Sequence, residues 1–484
     1  MGRCKYYEVC GLEDSSQPDN YLCILHSPDL NKNQKAFNNA LEAHRRKEER
    51  FSNFERFVFP SEAHFERATF PHQADFSRAV FSKGASFEKA VFEKGANFTF
   101  SNFIEESSFS DATFTESTWF TKTVFGADAN FIGARFSRRS YFQGAKFQKT
   151  ATFSWANFAE EARFRQTEFK SDIDFSQAIF SGLARFSEII FPDTTLFTGT
   201  KFAEQASFHT VIFKNDSDFT EALFNKGGEF YDTHFASVKF TRARFYGPTT
   251  FDASDKVSMF DGEVLFTQTI IDPGDSVKFI EADLPRCRFL GTDVRKVHFI
   301  GVTWACIGAR NGVYDEITPL QPGEQRQWAQ IEELYRQLKQ NYEERRDYER
   351  AGHFHIGEKE MRLKNPDTPR HLRFLLWLYK WVSGYGEHYR LPLIWLAGLW
   401  LLTSCTALVW GLTMGQGAYA VRLSPNSSSH WGWALLYGLE TMFHLPAREF
   451  TPTGLGRAIH TFASILGPVF IGMFGLALRQ RLKR

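Results

Sequence analysis

The chain is poor in cysteine and methionine, six of each among 484 residues. It also lacks an excess of either charge: 57 Lys+Arg meet 56 Asp+Glu, which leaves +1. Such balance gives no basic field for a phosphate backbone, so no nucleic-acid partner is expected. A mean hydropathy of −0.34 excludes a protein buried mostly in lipid. No apolar run occupies Met1 to His26, so no secretory signal is expected. A Gly-rich phosphate loop, a nucleophile elbow and a usable carboxylate pair are all missing, so the chain is not expected to be an enzyme and no catalytic residue is named.

Phenylalanine is abundant instead, with 53 residues. It recurs from Phe65 through Phe70, Phe76, Phe81, Phe87 and Phe92 to Phe235, in steps alternating between five and six. Alanine often stands two positions earlier, as at Ala63, Ala68, Ala74 and Ala79. On a helix a step of five turns about 140°, which scatters these rings over two stripes. On an extended segment Ala-x-Phe places both side chains on one face. Short extended pieces turning at each polar pair make a coil that buries its face only by stacking on further coils.

The tandem Ala-x-Phe units resemble pentapeptide-repeat proteins, in the variety with alternating five- and six-residue units, over residues 51–310. The resemblance implies a mainly β fold, a right-handed quadrilateral β-helix with Phe at the centre of each side and the small residue two before it also inward. Four sides take 22 residues, so nine or ten coils are expected, with different corners on alternate sides. Some pentapeptide-repeat proteins mimic DNA. Here 27 Asp+Glu against 22 Lys+Arg between residues 61 and 270 describe a mixed, solvated surface instead.

Residues 1–30 hold Cys4, Cys10, Cys23 and His26, three thiols and an imidazole in a segment too short to bury a core. That set suits tetrahedral zinc with all four positions filled by protein, hence a structural site. The other cysteines are scattered, which fits a reducing compartment. A connecting helix is expected over 31–50.

After Pro319, Pro322 and Gly323, residues 324–364 read as amphipathic helices. Trp328, Ile331, Tyr335, Leu338 and Tyr342 lie three and four apart; Ala351, Phe354 and Met361 are the expected buried positions of a second helix. Residues 370–390, with Trp377, Tyr379 and Trp381, read as an interfacial helix. Residues 391–484 contain two uncharged runs long enough to span a bilayer, Leu391 to Met414 and Ala458 to Leu478. Arg370, Arg373, Lys380 and Arg390 precede the first run, and Arg479, Arg481, Lys483 and Arg484 follow the second. Both termini are therefore expected on the cytoplasmic side of the inner membrane.

Between the spans, Trp433 to Phe443 is apolar but too short to cross, hence re-entrant or interfacial. This arrangement resembles the pore module of two-helix potassium channels. The potassium filter pattern laid on Thr441 reaches Pro452 in register, with Glu449 on its acidic position. His444 replaces a filter Thr, Pro446 and Arg448 replace the two glycines and Ala447 the Tyr. Carbonyls turned toward an ion need that glycine freedom, so potassium selectivity is not expected. Two functions stay open. One is an oligomeric, channel-like or sensor module bearing a cytoplasmic β-helix. The other is a membrane-tethered scaffold whose β-helix binds a cytoplasmic protein.

Overall fold

The computed structural model describes residues 3–12, 22–46, 52–254, 258–319, 326–414, 421–422, 428–445 and 450–482. The chain divides into two units, 1–325 and 326–484.

The first unit is a β-solenoid. Most sides of a coil are two-residue strands such as Ala63–His64 or Thr69–Phe70, paired in parallel with the strand 22 residues further on, while Ala184–Phe191, Ala206–Asp218 and Gly228–Lys239 run on around corners. Parallel stacking puts like residue on like residue, and the rings form four ladders. One runs from Phe54 through Phe76, Phe98, Phe120 and Phe142 to Phe299, with successive centroids 4.6–5.6 Å apart and planes within 12°. Across the interior, rings of opposite sides meet edge to face, as Phe142 does with Phe131 at 5.8 Å and Phe153 at 5.4 Å. Phe65, Phe70, Phe76, Phe81, Phe87 and Phe92 are all buried.

The solenoid has about eleven turns, more than the nine or ten expected. The sequence count stopped where the Phe spacing loosened, but Phe251, Phe279 and Phe299 still stack despite longer and shorter steps. Where a step loses one residue, the ladder shifts register once, between Phe213 and Asp216.

The two corner types differ as expected. Each five-residue step closes a turn from the Phe carbonyl to the N–H three residues on, as from Ala68 to Phe65 at 3.1 Å. Its third residue is left-handed: Arg56, Arg67, Arg78 and Lys89 have φ of 56–60°. Such turns favour glycine there, and a side chain costs about 1–2 kcal/mol. The next coil holds the conformation, because the Arg67 N–H donates to Glu88 O at 2.8 Å.

Both ends of the solenoid are covered. At the N-terminal end lie α1 (Tyr7–Cys10) and α2 (Gln34–Arg45). Asn33 caps α2 by accepting from Ala36 N at 2.9 Å. Phe37 meets Phe59 at 5.7 Å, and His44 meets Phe54 and Phe57 at 5.8 and 5.0 Å. The helix expected to connect is thus a lid on the first coil. At the other end Trp304 packs on Phe299 at 5.1 Å, followed by a hairpin of Ala305–Ile307 with Arg310–Gly312 and by α3 (Tyr314–Ile317).

The Asp315 carboxylate of α3 accepts from Phe289 N at 3.1 Å. Burial pushes its pKa up to about 6, against the pull of that hydrogen bond and of Arg288. A raised acid binds its proton more tightly when folded. Stability is therefore greatest below the unfolded value near 3.9 and falls as pH rises through about 6. We expect melting of the C-terminal cap to drop by roughly 3 kcal/mol between pH 4 and pH 7. The drop should vanish in Asp315→Asn; an unchanged pH profile in that variant would remove Asp315 as its source.

The second unit is helical. Helices α4 (Trp328–Glu344) and α5 (Tyr348–Lys364) form an antiparallel pair around Tyr335, Leu338, Tyr342, Phe354 and Met361. Gly357 gives the Tyr335 ring its place, since a Cβ there lies 2.5 Å from it. Glu358 is buried among Lys339, Arg336, Lys359 and His355. Burial raises its pKa, but the neighbouring His355, the hydrogen bond from Lys359 and the nearby charges outweigh it and hold the carboxyl well below its ordinary value. Then come α6 (Arg370–Ser383), α7 (Arg390–Trp410), α8 (Ser428–Phe443) and α9 (Gly456–Leu482). The first apolar helix ends at Trp410, short of the expected Met414. Gly411 breaks it, and Leu412–Met414 is a strand beside Val421–Arg422 and Phe450–Pro452.

A buried thiol–imidazole cluster and a clasped short helix

Cys4, Cys10, Cys23 and His26 come together as the sequence suggested. All four are buried, and their ligand atoms lie within 4.8 Å of one another. Cys23 Sγ is 3.6 Å from Cys10 Sγ and 3.2 Å from His26 Nδ1, and Cys4 Sγ is 3.6 Å from the same nitrogen. A tetrahedral ion with Zn–S of ~2.3 Å and Zn–N of ~2.1 Å has edges of about 3.6–3.8 Å. The cluster is close to that size, so it could hold a metal ion. Backbone N–H groups support the sulfurs: Cys23 N donates to Cys4 Sγ at 3.3 Å and Leu12 N to Cys10 Sγ at 3.4 Å. The hydrogen bond from the Cys23 thiol draws Cys10 down to about 4 against burial, with His26 adding to the pull. Cys23, which keeps its proton for Cys10 and is itself buried, is pushed up. Lys32, lowered to about 8 by burial, stands nearby and donates to Ser27 O at 2.9 Å.

The cluster is joined to the solenoid. His26 Nε2 lies 3.2 Å from Glu55 O, so an Nε2–H donates to the first coil and leaves Nδ1 facing the thiols. The His26 ring stands edge-on to Phe57 at 5.0 Å, and Val58 N donates to Leu25 O at 2.8 Å. The Glu55 carbonyl carries no sequence signal, since any residue offers one.

The other candidate residues fare differently. Thr441 is buried on α8; its hydroxyl donates to Tyr437 O at 2.9 Å and sits 3.3 Å from His460 Nδ1 of α9. His444 ends α8 in a left-handed conformation, exposed. Pro452 lies opposite Leu412 in the three-stranded sheet, and its carbonyl accepts from Arg457 Nε at 3.0 Å. Pro446, Arg448 and Glu449 fall outside the described residues.

Helix α8 is clasped between α7 and α9. Trp400 Nε1 donates to Leu435 O at 2.9 Å. A Cβ at Gly438 lies 2.7 Å from Ser404 Oγ, and one at Gly467 lies 2.7 Å from Met442 O. Tyr437 OH is 2.8 Å from His460 Nδ1. The outer faces of α7 and α9 are bare: protein covers 33% of the apolar stretch Arg390–Trp410 and 22% of Gly456–Arg479. Leu393, Ile394, Leu401, Val409, Phe462, Ile465 and Leu476 are exposed. Two helices are thus long and apolar enough to cross a membrane. On α6, Phe374, Trp377 and Trp381 are exposed as well.

Comparison with known proteins defines the class of the first unit. The family described as Pentapeptide repeats (9 copies) matches residues 54–102, 65–113, 101–146 and 142–190. The solenoid is therefore a pentapeptide-repeat domain, as its four Phe ladders already indicate. No curated protein and no solved structure matches the chain.

Proposed function

We propose that the protein is an integral-membrane pentapeptide-repeat protein whose cytoplasmic β-solenoid is carried by an oligomeric, channel-like module. One observation carries this reading. A 16-residue helix, too short to cross a bilayer, is clasped by two apolar helices whose outer faces lack cover. In water such faces are unfavourable; in lipid they are ordinary. The basic residues before α7 and after α9 support a multi-pass inner-membrane reading with both termini in the cytoplasm. The module is not selective for potassium, for the reasons of residue type given above, and the protein has no catalytic role.

A second reading, a tethered scaffold that binds a cytoplasmic protein, is favoured by Thr441, whose hydroxyl is committed to α8 and α9. Native mass measurement in mild detergent separates the two. A two-span module makes a pore only by surrounding an axis, so the channel-like reading expects a stable oligomer. A monomer in several detergents overturns it and leaves the scaffold.

Zinc is the metal proposed for Cys4, Cys10, Cys23 and His26. Three thiolates and one imidazole fill a tetrahedron and leave no open position, so its role is structural. Elemental analysis of the purified full chain should find one zinc per chain, and a value far below one rejects the assignment.

A further inference from the structure

One side of the solenoid is built over Phe142, Phe164, Phe186 and Phe208. Residues next to an inward ring point outward. Parallel register sets Tyr141, Arg163, Arg185 and Ser207 in one column, and Ser187 beside His209. Neighbouring guanidiniums in the column therefore start from strands only ~4.8 Å apart. Like charges that close need compensation, and two carboxylates supply part of it. Glu161 accepts from Arg163 Nη2 and Arg185 Nε, each at 2.7 Å. Glu188 accepts from Arg165 Nε at 2.9 Å and Gln166 Nε2 at 2.7 Å. Three guanidiniums against two carboxylates leave a positive surplus.

Arg163, Arg165 and Arg185, with Gln143, Glu188 and His209, line a concavity of about 790 Å³. Two polar atoms of its lining are buried and have no hydrogen-bond partner among the described residues, Arg163 Nε and Gln143 Oε1. An N–H of a charged group without a partner is costly, and such atoms mark a missing ligand or water. Turned over, the Gln143 amide presents an N–H where Oε1 now stands. Aromatic rings stand beside two of the lining residues. Arg163 lies over Tyr141 at 5.5 Å, Tyr141 stacks on Trp119 at 6.0 Å, and Tyr231 meets His209 at 4.8 Å. Both guanidiniums with room to turn, Arg165 and Arg185, are more than half exposed at its mouth.

We propose that this concavity binds the dianionic group of a phosphomonoester. Its oxygens accept in several directions at once, which matches donors arriving from three arginines on two coils; a planar carboxylate offers two oxygens in one plane. A surplus positive charge favours a dianion over a neutral polar ligand. The group comes either from a free metabolite-sized phosphate or from a phosphorylated side chain of a protein.

The test is calorimetric titration of the full chain in detergent with inorganic phosphate at constant ionic strength. Saturable binding is expected. Each of Arg165→Gln and Arg185→Gln should weaken it about tenfold, the loss of one charge-assisted hydrogen bond. Arg138→Gln, which removes an exposed arginine paired with Glu160, should leave it unchanged. Circular dichroism checks that each variant keeps its β-solenoid. A phosphoserine peptide binding more tightly than phosphate alone assigns the source to a modified protein, and equal binding assigns it to a small molecule. No saturable binding, or equal weakening by Arg138→Gln, overturns the proposal.

Discussion

Phe142→Ala should divide the solenoid in two. The ring is fully buried, stacked between Phe120 and Phe164 at 5.0 and 4.8 Å and edge-on to Phe131 and Phe153. Truncating such a ring costs about 3–5 kcal/mol, transfer and cavity together. Each coil touches only its neighbours, so the loss stays local and the coils before and after uncouple. Denaturant unfolding should become two transitions, with hydrogen exchange quickened first in the strands flanking Phe142. Phe142→Leu, which keeps much of the volume, should cost far less. A single transition at the original midpoint for the alanine variant would show that the ladder does not hold the coils together.

Loss of the Cys4–Cys10–Cys23–His26 cluster should have the largest effect of all, confined to the N-terminal end. Structural zinc contributes on the order of 10–16 kcal/mol of apparent binding energy in small domains. If the proposed zinc is bound, that energy would pass to the first coil through His26 Nε2 to Glu55 O and through the His26–Phe57 contact. Cys23→Ser, or a strong chelator, should abolish amide protection around residues 52–59 and weaken it toward Phe81. The amide of Val58 should be the sharpest reporter, since its acceptor is Leu25 O. Coils from Phe142 onward should keep their protection. Equal protection of Val58 with and without the thiol would show that the cluster is not a staple.

The Phe and Ala positions announced the core because the solenoid repeats one contact many times, and any repeated contact leaves a period in the sequence. The cluster was equally legible, since few roles gather three cysteines and a histidine in 23 residues. The left-handed corners were not. Arg56, Lys89, Trp155 and Glu188 share no chemistry, because the hydrogen bonds of the next coil set their backbone. Nor was the lid role of α2 visible. Phe37 and His44 are two unremarkable side chains until Phe59, Phe54 and Phe57 lie beneath them. Thr441 shows the limit of matching by register. Laid on a filter pattern it falls on a position for ions, yet its hydroxyl is bound to Tyr437 O and set beside His460. The arginine concavity was hidden for another reason. Arg163 and Arg185 stand 22 residues apart, a separation that means adjacency only once the coil length is known.

Eleven residues advance the chain by half a coil, and the inward pattern over one half is the same as over the other. Inserting a duplicated half coil into the regular part of the rod would therefore leave the interior satisfied while turning everything downstream to the opposite side. Gene-level gain or loss of 22 residues would instead lengthen or shorten the molecule with each decoration kept on its side. The interior thus reads length modulo eleven and the exterior modulo twenty-two. A lineage carrying such a rod is free to move a recognition patch from front to back in one step, without relearning how to fold.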